Sequence, residues 1–141
     1  MKTQKILAGT LVAGVALFLL GWLIYGVLLK NLMAENCDNS NMRPMEEMVW
    51  WAMIASNLAS GLLLAVILNW LGSYTMGSGI KVGAVLGLLT ALSFDLSMYA
   101  MTTMFSNLTM VVIDSLCFSV MLALAGLLAA WVMGKMSQQN A

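Results

Sequence analysis

Histidine is absent from the 141 residues, cysteine occurs twice, proline once, and charged side chains make up only 9% of the chain. Without histidine the protein lacks the commonest general base, proton relay and metal ligand. No serine–lysine pair falls inside an apolar run, so neither a hydrolase nor a metalloprotease constellation can be assembled. The chain is therefore expected to be no enzyme and to carry no cofactor. An ordinary soluble domain is about 25% charged. Here six basic and six acidic residues cancel, and 62% of residues are hydrophobic. That composition describes one small membrane domain surrounded by lipid bilayer, with no basic footprint for nucleic acid. Cys37 stands in a polar segment and Cys117 deep in an apolar run, depths too different for an intramolecular disulfide.

What the chain does have is long apolar runs. From Ile6 to Leu29 there are 24 residues without a charge, enough at about 1.5 Å per residue to cross a hydrocarbon core of about 30 Å. Lys2 and Lys5 ahead of this run also suit a secretory signal. The run exceeds the usual apolar region of about 7 to 15 residues, and no small-x-small cleavage site follows, so it reads as helix one, over 6–29. Residues 30–47 form the one long polar segment and belong in water. Pro44 suits the first turn of helix two, over 44–71, where its missing N–H costs nothing, and Glu46 and Glu47 complement the helix dipole. Trp50, Trp51 and Trp70 mark the two headgroup levels. The stretch 72–79, GSYTMGSG, is a turn. Helix three covers 80–105, and Ser106 and Asn107 make a short connection to helix four, over 108–133, giving an antiparallel hairpin. The expected fold is all-α: four transmembrane helices in an up-down-up-down bundle with both termini on the same side. Lys2, Lys5, Lys81 and Lys135 fall on one side, Lys30 and Arg43 on the other, which by the positive-inside rule predicts that both termini lie in the cytoplasm.

One ionisable residue, Asp95, interrupts helix three. A carboxylate at the centre of a membrane helix is disfavoured by about 2.5 to 3.5 kcal/mol on insertion scales. Gly83, Gly87 and Ala91 precede it at successive steps of four, a small-residue stripe along which another helix can approach, so Asp95 is expected to point into the bundle. Counted inward from the outer ends at about 1.5 Å per residue, Asp95, Asp114 and Asn57 all fall roughly 12 to 15 Å deep. Ser56, Ser60, Ser93, Ser97 and Ser115 lie near the same level. The sequence thus permits a polar cluster of Asn57, Asp95 and Asp114. Two carboxyls in such a place should not both be ionised, a conflict that one shared proton or one bound cation resolves.

Nine of the 14 methionines lie toward the outer side. Met98, Met101 and Met104 are spaced by three, and thioethers with Cys37 nearby suit Cu(I). The commoner role of methionine is adaptable filler in apolar helices.

Gly21, Tyr25 and Gly26 close the outer half of helix one, with Tyr25 expected at the headgroup interface. With the basic start, the polar outer loop, Asn57 in helix two and Asp95 followed by Tyr99 in helix three, nearly the whole chain resembles small bacterial membrane proteins grouped only as a domain of unknown function. The resemblance implies four membrane helices and no particular activity. Two functions fit these residues. The first is a structural or accessory membrane component, alone, as a homo-oligomer or with a membrane-protein partner. The second is a small transporter or channel for protons or cations, with Asp95 and Asp114 as coupling carboxylates and Asn57 orienting them.

Overall fold

The structure is a computed structural model that describes residues 2–139. It is all-α. Helix α1 spans Lys2–Leu23 and runs into a π-helical turn, Ile24–Leu28, followed by a short helix α2, Lys30–Asn36. A 3-10 turn, Met45–Glu47, precedes α3, Trp50–Leu71; α4 is Met76–Met101 and α5 is Leu108–Gln139. Four helices, with the π turn counted into the first, are long and apolar enough to cross a membrane.

Local chemistry sets several ends away from the sequence expectation. Helix three begins four residues early because the Thr75 hydroxyl caps it, accepting from the Ser78 N–H at 3.1 Å. Gly72, at φ +62°, terminates α3 in the left-handed conformation that glycine adopts most readily. Pro44 starts the 3-10 turn and not α3 itself, which begins six residues later at Trp50. Helix four continues past 133 to Gln139, and the polar segment contains α2.

The long helices alternate in direction. Beside Gly9 of α1 lie Ala65 and Met133, and beside Gly14 lies Leu58, so α1 is antiparallel to both α3 and α5. Lys5 donates from Nζ to the Ser137 hydroxyl at 3.3 Å, which brings the two ends of the chain to one side. Between α4 and α5 the approach is closer still. A Cβ on Gly79 would meet the Gly126 carbonyl, one on Gly83 the Leu122 carbonyl, and one on Gly87 the Ser119 Cα. Small residues let backbones approach in this way where lipid removes most of the hydrophobic drive for helix association.

The spatial order is α3, α1, α5, α4. Helix α3 rests mainly on α1 through Gly61, Leu64, Ala65 and Leu68, and it touches α4 and α5 only lightly. Consecutive helices α3 and α4 are joined by residues 72–75 at the end of the bundle that carries the chain termini, called the inner end, the opposite end being the outer one, yet a cleft lies between them. At the inner end Lys5 stands 5.3 Å over the Tyr74 ring. At the outer end the polar segment is tied down on the α4–α5 link. Cys37 pairs with Phe105 in an isolated bridge. The Asp38 N–H donates to the Met104 carbonyl at 2.9 Å, and Ser106 N–H to that of Asn36 at 3.1 Å.

Candidate functional site: an acidic cavity between three helices

The site grows out of the glycine seam. The buried residues of α4 are Gly79, Gly83, Gly87, Ala91 and Asp95, one unbroken stripe at steps of four. The first four bring the helix against α5, and the fifth delivers a carboxyl to the same face. Asp95 is 3% exposed. Its Oδ2 accepts a hydrogen bond from the Ser115 hydroxyl at 2.9 Å, and Ser115 is itself buried. A buried acceptor without a partner costs about 1–3 kcal/mol, so this bond also helps to set the register of α4 on α5.

Asp114, next along α5, brings its carboxyl to that of Asp95, and the two interact. Both line a cavity of about 410 Å3 in the cleft. Met33, Met104 and Phe105 bound it toward the outer cap, Phe94 and Phe118 form apolar walls, and α3 contributes Ser60 and Leu63. A further group comes near Asp114: the phenol of Tyr25. Tyr25 sits within the π turn Ile24–Leu28. Such a turn carries one more residue than the α-helical repeat allows, which re-aims the side chains after it and recurs at functional sites. Tyr25 therefore turns inward where the sequence expectation put it at the headgroups.

No family model, curated protein or solved structure matches the chain. The site is accordingly read from its own geometry.

Asn57 is not part of it. Its side-chain amide donates to the Met53 carbonyl one turn back at 2.8 Å, and it lines two other hollows, against Phe18 and Tyr25 of the first helix. The count of residues placed Asn57 at the right depth but could not supply its direction around the helix axis. Gly61, Leu64, Ala65 and Leu68 turn the Asn57 face of α3 onto α1. Ser60, three residues further along, is what α3 presents to the acidic cavity.

The thioether trio Met98, Met101 and Met104 is likewise separated. Its spacing presumed a helix continuing to 105, but α4 ends at Met101. Met101 is 72% exposed, while Met98 and Met104 pack around Phe105, Met110 and Val111. Met33 and Cys37 join that cap, with the Cys37 thiol donating to the Met33 sulfur at 3.8 Å. Burial pushes the Cys37 thiol above its ordinary range, and the charge of Asp114 adds to the effect. Both cysteines are free.

Outside the apolar helices, Asp38 anchors the cap. It accepts from the Ser40 N–H at 2.9 Å and from the Thr103 hydroxyl at 2.9 Å. The Ser40 backbone bond, then the bonds from the Ser40 and Thr103 side chains, hold its carboxyl below the usual carboxylate range.

Proposed function

We propose that this is a non-enzymatic multi-pass protein of a bacterial cytoplasmic membrane that works as a small proton- or cation-coupled carrier, with Asp95 and Asp114 as the exchanging groups. The observation that carries the reading is a single cavity of about 410 Å3 lined by both carboxyls. Two carboxylates in a low-dielectric place are poorly tolerated unless a proton or a cation sits between them. The cavity gives that exchange room, and Ser115 holds one of the pair in position. Other titratable groups near the pair are Tyr25 from the π turn, Cys117 from α5 and Cys37 from the outer cap. Cytoplasmic termini are supported by the excess of lysine at that end, four basic residues against two.

A second reading, a structural or accessory component, is favoured by the Asp95–Ser115 bond, which ties α4 to α5 whatever else the pair does. The two are separated by Asp95→Asn and Asp114→Asn, made singly in protein reconstituted into liposomes. Under the carrier reading, flux driven by a pH gradient and followed with an enclosed pH dye disappears in each variant while insertion and folding persist. Flux equal to wild type in both variants overturns it. So does a wild type that conducts nothing while both variants assemble normally.

A further inference from the structure

We infer that the occupant of the Asp95–Asp114 cavity is an amphiphilic organic cation that arrives from the bilayer through the gap between α3 and α4. This rests on the reading of the carboxyl pair as the working site. The sign of the occupant follows from charge complementarity. The lining offers two carboxyls and no lysine or arginine. The basic residues of the chain stand at its two ends, Lys2, Lys5, Lys81 and Lys135 at one and Lys30 and Arg43 at the other. Apart from a shared proton, positive charge able to answer the pair at that depth therefore has to come from a ligand.

The character of the occupant follows from the remaining wall. Phe94, Phe105 and Phe118 give the cavity three aromatic faces, and an aromatic face attracts a desolvated cation while accepting an apolar body. Ser60 and Thr90 are its only hydroxyl-bearing lining residues. A volume of about 410 Å3 lies within the range of about 300–1,000 Å3 typical of small-molecule sites. A small inorganic cation would leave most of that space and all three rings unused.

The route follows from what closes each end. On the inner side Lys5, Tyr74 and Ser137 draw the chain termini and the α3–α4 turn together. On the outer side the Cys37–Phe105 bridge and the Asp38–Met104 bond lay the polar segment over the cap. Between these closures α3 and α4 barely touch. The lining residues Leu63 of α3 and Phe94 of α4 are 43% and 58% exposed on the outside of the helix bundle. The weakest wall is thus the one toward the acyl chains.

The test is equilibrium dialysis of the full chain in mild detergent against labelled tetraphenylphosphonium, with triphenylphosphine oxide as an uncharged probe of similar aromatic character. Saturable binding of the cation at one site per chain is expected, with binding of the neutral probe at least tenfold weaker. Leu63→Trp, which adds bulk at the gap, should slow association of the cation, followed by rapid-filtration time courses, at least tenfold while the circular dichroism spectrum stays unchanged. Equal binding of the two probes overturns the inference, because charge would then not select the occupant. Absence of saturable cation binding also overturns it. If wild type still conducts protons in liposomes in that case, the carrier reading stands and only the ligand class falls. An association rate equal to wild type in a folded Leu63→Trp protein refutes the lateral route.

Discussion

Replacing Gly83→Ala is the sharpest probe of the seam that delivers Asp95. A Cβ at this position meets the Leu122 carbonyl group and the Ala123 Cα. These are backbone atoms and have no rotamer into which to retreat, so α4 and α5 have to separate. Overpacking of this kind costs typically about 1–3 kcal/mol. Against it stands the intrinsic preference of a helix for alanine over glycine, about 0.5–1 kcal/mol. The net expectation is a loss of about 0–2.5 kcal/mol, the difference between those two effects. Gly77 supplies the control, since a Cβ there meets nothing within 4 Å. Gly77→Ala feels only the helix preference and should be neutral or slightly stabilised. The two alanine variants should therefore differ by about 1–3 kcal/mol, the overpacking cost alone. Reversible unfolding by titration of SDS into mild-detergent micelles, followed by tryptophan fluorescence, measures the difference. A Gly83→Ala protein at least as stable as Gly77→Ala would refute the claim that the seam is in backbone contact, and with it the account of how Asp95 comes to Ser115.

Two further outcomes concern the outer cap. A carboxyl held below its unfolded value contributes stability that is present above about pH 3.9 and is lost as pH falls through the lower folded value. The amide of Asp38, bonded to Met104, should then lose hydrogen-exchange protection below about pH 4 once intrinsic rates are removed, and Asp38→Asn should abolish that acid step; protection that stays flat into acid rejects the assignment. Cys37, whose thiol burial and Asp114 push up, should react with a maleimide at a rate whose midpoint lies above the about 8.5 of a free thiol. A midpoint at or below that value contradicts the placement of Cys37 under the cap.

Where the sequence could be read, one kind of signal was responsible. Apolar length and the scarcity of charge yield the number of crossings, and turn residues such as Gly72 mark the inner turn. The four-step stripe from Gly83 to Asp95 yields the buried face of α4, because small residues at one spacing have few other uses in lipid. Asp114 was legible from depth alone. Direction around an axis was not, and that is why Asn57 was expected beside it and Ser60 took the place. The azimuth of α3 depends on which neighbour it packs against, and Gly61 settles on α1 against the Thr10 carbonyl and Gly14. Tyr25 was missed for a different reason. The π turn inserts one residue into the count, and nothing in Ile24–Leu28 announces it. The methionine spacing misled because it assumed a helix beyond Met101, where Thr102 is already extended at φ −136° and ψ 170°.

The order α3, α1, α5, α4 means the molecule consists of two antiparallel couples laid side by side, with one long contact between them. The α1–α3 couple therefore meets the rest of the bundle chiefly along α5, and its edge along α4 is left open. The acidic cavity thus lies along the one border of the bundle, beside Leu63, where neighbouring helices are least bound to each other.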